Sequence, residues 1–162
     1  MGFGCDVEWT SRWLPEMNER RRVSDAYHVD PLAVNRTVIE KYRANGGYAG
    51  EPFQGPDVML LLTTTGARTG NRHTAPMMYR RDGDRLVVFA SNAGAPSHPR
   101  WFRNLVAHPE ATAEVGRETF DVRALITTGD ERARLWRLFP FPEHQERAGR
   151  QIPVVVLEPR TT

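Results

Sequence analysis

A chain of 162 residues with 40% hydrophobic and 26% charged residues has ordinary globular composition and enough length for one real core, which excludes a disordered chain. A net charge of +2 and a pI ≈ 9.0, with no arginine stripe interleaved with aromatics, argue against nucleic acid as a partner. No apolar run approaches the ~18 residues of a transmembrane helix, no signal peptide opens the chain, and the lone Cys5 has no disulfide partner, so a cytoplasmic location is expected.

Residues 1–29 read as an arm outside the main domain, which is expected to span residues 30–162. Trp9, Trp13, Leu14 and Met17 fall at near-helical spacing, interrupted at Pro15 and followed by Arg20-Arg21-Arg22. Packing of this arm over the domain or a partner subunit is the preferred expectation, because Glu8, Glu16 and Glu19 share the stretch. Peripheral contact with the inner face of the cell membrane is the alternative. Asp30-Pro31 then starts a helix with Val34, Val38, Ile39 and Tyr42 on its buried face, and Asn45-Gly46-Gly47 ends it. A loop over residues 48–57 leads to Val58–Thr65, a β-branched apolar run with the character of a buried strand.

Gly66-Ala67-Arg68-Thr69-Gly70 is too short for anything but a connection, and a glycine at each end permits positive φ. His73–Arg81 returns as a second strand, Asp82-Gly83 signals a hairpin, and Leu86–Ser91 is the third strand. Small residues and prolines fill Asn92–His98, and Pro99 opens a helix carrying Trp101, Phe102, Leu105 and Val106. Thr112–Val115 and Thr119–Ile126 pair around Gly116-Arg117, a helix runs through Arg132–Leu138 until Pro140 and Pro142, and Ile152–Leu157 is the last strand. Three successive strands joined by short turns exclude a doubly wound parallel sheet. They predict a mainly β (α+β) fold, a small and mostly antiparallel barrel with inserted helices.

The five histidines are scattered singly, with no HxH, HExxH or CxxC, so no metal site is expected. No serine sits in a GxSxG elbow, and GARTG between two strands is not a dinucleotide fingerprint. The Gly66–Gly70 turn, with Arg68 and Thr69, suits a phosphate. Asn92, Ala93 and Gly94 are expected to offer further unobstructed N–H groups where a flat ring can approach the backbone. Trp101 supplies an apolar wall and Asn104 an amide on the same helix face.

TTTGARTG, the strand containing Pro76, ASNAGA and HPRWFRNL, in that order, resemble the deazaflavin-dependent nitroreductase family of flavin/deazaflavin oxidoreductases, and the likeness extends from about Pro56 to Pro159. The resemblance implies a split β-barrel, dimerisation, and an oxidoreductase that transfers a hydride from reduced coenzyme F420 to a conjugated small-molecule acceptor: a quinone, an enone or a nitro compound. The chemistry then belongs to the cofactor, and no catalytic acid–base pair is expected in the chain. The alternatives are an FMN-binding oxidoreductase of the same barrel and a non-catalytic module that binds F420 or docks on membranes. Carried onto this chain, the cofactor residues are Arg68, Thr69, Gly70, Arg72, His73, Pro76, Ser91, Asn92, Ala93, Gly94, Ala95, Pro99, Trp101, Asn104 and Leu105. Where the family pattern has an arginine at position 73, often after a proline, this chain has Arg72-His73, which on a strand point to opposite faces. The acceptor is expected near Met78, Phe139, Phe141 and His144. Relatives carry tyrosines in this region; phenylalanine keeps the aromatic wall and lacks the hydroxyl, which favours quinone or enone over nitro acceptors.

Overall fold

The computed structural model describes residues 31–47, 59–139 and 142–160. The arm, the 48–57 loop and Phe141 lie outside the described residues. In chain order the elements are α1 (Pro31–Ala44), β1 (Met59–Thr65), β2 (Arg72–Met78), β3 (Arg80–Asp82), β4 (Arg85–Phe89), α2 (Arg100–Ala107), β5 (Glu110–Val115), β6 (Glu118–Ile126), α3 (Gly129–Trp136), α4 (Glu143–Ala148) and β7 (Val154–Pro159).

The seven strands form one antiparallel sheet in the order β2-β1-β5-β6-β7-β4-β3. Its two outermost strands, β2 and β3, are separated by a single residue, the fully buried Tyr79. Strands at opposite ends of a sheet can be joined by one residue only if the sheet curls until its ends meet, so the sheet closes into a barrel at Tyr79. The continuous strand expected over His73–Arg81 is therefore two strands, bent where the chain passes from one end of the sheet to the other. The short helix α4, just beyond Pro142, is a further element that the sequence reading did not anticipate.

Alternation sorts the side chains. Leu60 and Leu62 of β1 join Leu86, Val88, Val122, Val155 and Leu157 inside the barrel, with Phe102 and Leu105 of α2 closing one end. Met59 and Leu61 face the other way, onto Tyr42 of α1. Burial on both faces is why β1 reads as an unbroken apolar run rather than an alternating one. Val87, Phe89, Val154 and Val156 turn to the outside of the barrel, where Leu135 of α3 and Phe139 cover them. The Tyr42 hydroxyl fixes α1, accepting the Gly116 N–H at 2.9 Å and lying 3.2 Å from the Met59 carbonyl and 3.1 Å from that of Glu114. Pro76, in strand β2, has a neighbour on one side only, so its missing N–H costs the ladder nothing.

Candidate functional site

A cleft of about 850 Å³ opens between α1, the free edge of β2 and the segment leading into α2. Its walls carry Asn35, Arg36, Ile39 and Arg43 from α1, His73 to Pro76 from β2, and Asn92, His98, Pro99, Arg100, Trp101 and Asn104. A second cavity of about 410 Å³, lined by Gly66–Thr69, His73, Arg100, Arg103 and Asn104, continues past it and shares His73, Arg100 and Asn104 with the first. Among the described residues no carboxylate lines either lobe. By contrast, a 430 Å³ cavity on another face mixes Arg123 and Arg160 with Glu110 and Asp121, and Glu110 lies 3.8 Å from Arg123 and 3.5 Å from Arg160. Charges there compensate one another; in the two-lobed cleft Arg43 is paired with Glu114, and the other arginines face lobes with no carboxylate among the described residues.

The turn between β1 and β2 forms the floor of the smaller lobe. Gly66 N–H donates to the Asn71 carbonyl at 2.7 Å, Gly70 N–H to Gly66 at 3.0 Å, and Asn71 N–H to Thr69 Oγ1 at 3.2 Å. Only Gly70 uses positive φ (72°); Gly66 is needed for space, since a Cβ there would lie 2.7 Å from Thr69 Oγ1 and 3.2 Å from His73 Nε2. Asn104, 3% exposed, ties this turn to the barrel: its amide donates to Thr64 Oγ1 at 3.0 Å and accepts the Ala67 N–H at 3.0 Å. Its amide is thus a strap beneath the cleft rather than an open hand toward a ligand.

Arg72 and His73 divide as their strand parity requires. His73 pairs with Thr64 and lines both lobes. Arg72 points to the other face, where its guanidinium donates to Thr65 Oγ1 at 3.0 Å and Thr112 Oγ1 at 2.9 Å.

The segment after β4 departs from expectation. Asn92 (φ 50°), Ala93 (φ 54°) and Gly94 (φ 81°) are consecutive left-handed residues. The turn uses its own amides: Gly94 N–H donates to Ser91 at 2.9 Å and Ala95 N–H to Asn92 at 3.0 Å. Gly94 packs against α4, where a Cβ would lie 3.2 Å from Arg147 Cδ. Of the N–H groups expected to be open at Asn92–Gly94, that of Gly94 is taken up within the turn; Asn92 and Pro99 line the cleft, whereas Ser91, Ala93, Gly94 and Ala95 do not. Leu105 belongs to the barrel core.

The residues expected near the acceptor lie apart from the two lobes. Met78 and Phe139 come together outside the barrel, where Phe139 stacks 4.8 Å from Phe89 and 5.0 Å from Trp136, with His144 5.9 Å away. These three do meet, as expected, but as packing beneath α3 and α4, and none of them lines the cleft.

Other cleft residues went unnoticed in the sequence. Arg100 and Arg103 lie at i and i+3 on the face of α2 that carries the anticipated Asn104, and Arg36 and Arg43 lie three residues before and four after Ile39 on α1. Helical-face spacing of this kind was a usable signal. Arg43 is partly committed, donating to both carboxylate oxygens of Glu114 at 2.9 and 2.8 Å. Among the described residues no group of three His, Cys, Asp or Glu is placed to hold a metal, and no helix is long and apolar enough to cross a membrane.

The cleft fits a cofactor with a flat ring and a polyanionic tail: Ile39, Pro76 and Trp101 give the larger lobe apolar walls, and the smaller lobe carries Arg68, Arg100 and Arg103. Comparison with known proteins agrees. The profile of a family described as F420H(2)-dependent quinone reductase matches residues 34–159. An F420H(2)-dependent quinone reductase of Mycobacterium tuberculosis is 38% identical over 127 residues, which are 74% of this chain and 85% of that protein. The structure of an F420-H2-dependent reductase is similar with a TM-score of 0.57 and 33% identity, covering 62% of this chain and 93% of the other. A domain-swapped dimer is similar with a TM-score of 0.60 and 26% identity, covering 92% and 99%. The fold is thus the split β-barrel of the F420-dependent reductases. The chain belongs to the F420H(2)-dependent quinone reductase family of oxidoreductases, whose cofactor is coenzyme F420 rather than FMN.

Proposed function

We propose that the two-lobed cleft holds F420, ring in the larger lobe and tail in the smaller, and that the protein uses it to reduce a conjugated carbonyl compound, a quinone or an enone. The observation that carries this reading is five arginines, Arg36, Arg43, Arg68, Arg100 and Arg103, around two joined lobes with no carboxylate in their walls among the described residues. When bound, the reduced cofactor supplies a hydride from C5 of its ring. The chain supplies the rest. Arg68 and Arg103 neutralise the phosphate and carboxylates of the tail with charge-assisted hydrogen bonds. Trp101, held edge-on to Phe102 at 6.5 Å, keeps water from one wall, and His73 and His98 are the ring N–H groups that face the cleft. Fixing both reactants in one dry cleft is what the protein contributes to hydride transfer. The quinone class is also that named for the mycobacterial relative.

Titration of the protein with oxidised F420, following quenching of cofactor fluorescence with FMN run alongside, tests the assignment. Saturable binding at about micromolar Kd or tighter is expected, weakened about tenfold or more by Arg68→Ala combined with Arg103→Ala. Clear FMN binding without F420 binding would overturn it.

Pairing of two chains belongs to the same reading. Leu125 and Ile126, neighbours at the end of β6, are 45% and 42% exposed, more than isolated apolar strand residues need be. Sedimentation of the full chain, compared with a form lacking residues 1–29, should give a dimer; liposomes added to the same pair test whether the arm holds a cytoplasmic protein to the membrane.

A further inference from the structure

Arg150 stands between the end of α4 and β7, and none of its atoms lines the cleft. Its backbone is gripped by Gln145, whose amide donates to the Arg150 carbonyl and accepts the Ile152 N–H at 2.9 Å. Its guanidinium reaches back to the segment between β4 and α2. Nε donates to Ala95 O at 3.2 Å, and Nη2 lies within reach of Ala90 O (3.2 Å), Ser91 O (3.2 Å) and Ser97 O (3.0 Å). Nη1 lies 2.9 Å from His98 Nδ1.

A guanidinium has donors and no acceptor, so His98 Nδ1 must accept, and the imidazole proton sits on Nε2. The His98 ring rests on Phe102, 4.8 Å between centroids, and lines the cleft together with Asn92 and Pro99. The backbone that Arg150 holds is the one carrying the left-handed Asn92 and Ala93, a conformation that asparagine tolerates but that alanine takes only when its surroundings impose it.

We propose that Arg150 is a positioning residue for the F420 cleft. From behind the wall it holds the 90–98 segment in its left-handed turn, and it fixes His98 as a neutral imidazole with its N–H on Nε2, so that the wall presents a hydrogen-bond donor and not a cation. This rests on the cleft being the cofactor site.

The surroundings agree. Arg150 and Arg103 flank His98, and Arg36, Arg43, Arg100 and His73 line the same cleft, with no carboxylate in its wall among the described residues. Burial first, then the charges of Arg150 and Arg103, hold its pKa below the ordinary value of about 6.5. A base with a depressed folded pKa contributes stability that is present above the unfolded value and lost as pH falls through the folded one. Acidification should therefore loosen this wall only below about pH 6.5.

The test is nitrogen NMR of the histidine rings in the full-length, cofactor-free chain, paired with F420 titration. In the wild type His98 should carry its proton on Nε2 and titrate below the ordinary value. In Arg150→Met the midpoint should move up. F420 Kd should rise about tenfold or more in both Arg150→Met and Arg150→Lys, because one ammonium has at most three protons for five acceptors. Retained affinity in folded Arg150→Lys, with unchanged His98 titration in Arg150→Met, would overturn the proposal. Should neither variant fold, the wild-type spectrum decides: a proton on Nδ1, or an ordinary midpoint, overturns it as well. Failure of the wild type to bind F420 strikes the cleft assignment instead and leaves the His98 spectrum to be read by itself.

Discussion

Two connections wall the cleft, and they are built on opposite plans. The turn from β1 to β2 is written almost entirely in its own residues: Gly66 where a side chain would collide, Gly70 where φ is positive, and Thr69 to receive the Asn71 N–H. The segment from β4 to α2 places Asn92 and Ala93 at positive φ, which asparagine tolerates but alanine does not adopt by itself, and is held by Arg150 from more than fifty residues away. A locally encoded loop tolerates changes at a distance, whereas an externally held one fails when its distant clamp is removed.

The first connection has one distant dependency, Asn104, and breaking it should give the largest effect. Asn104→Leu leaves the Thr64 hydroxyl and the Ala67 N–H without their partner beneath the cleft. Stranding two such groups costs about 2–4 kcal/mol, and urea denaturation should show the midpoint falling at unchanged slope. A loss below about 0.5 kcal/mol would mean that water replaces the amide and that the turn needs no strap.

The same contrast explains what was legible in the sequence. Strand β1, the hairpin at Gly83 and the pairing around Gly116 were readable because apolar runs and turn glycines encode them locally. The break at Tyr79 was not, because residues 73 to 81 keep a strand-like pattern through it and only closure of the barrel demands the bend. Arg68 and Trp101 were readable as candidates within recognisable motifs. Arg36, Arg100 and Arg103 needed two helix faces brought to one cleft, which is a tertiary fact. Arg150 gave no signal, being one arginine among 21 with nothing in its neighbours to say which carbonyls it would meet. Phe139 and Met78 show the reverse ambiguity. Aromatic character is consistent with a substrate wall and with a core, and the outward parity of Phe89 and Val154 recruited Phe139 into packing beneath α3.

Exchanging glycine and alanine between the two connections sharpens the comparison at smaller magnitude. Gly66→Ala drives a Cβ to 2.7 Å from Thr69 Oγ1 and 3.2 Å from the Asn71 carbonyl, so it should destabilise by about 1–3 kcal/mol. Ala93→Gly runs the other way. Relief of left-handed strain, about 1–2 kcal/mol, is opposed by about 0.4–1 kcal/mol of extra unfolded-chain entropy, leaving a net gain between about 0 and 1.6 kcal/mol. Its value lies in combination. If Arg150 holds Ala93 against that strain, Arg150→Lys costs less stability in the Ala93→Gly background than in wild type, because the turn then keeps its shape with less restraint. A double-mutant cycle by urea denaturation should give a coupling of about 0.5 kcal/mol or more. Strict additivity would mean that Arg150 secures the wall without bearing the strain of the turn, and would separate its grip on the carbonyls from the conformation of the residues between them.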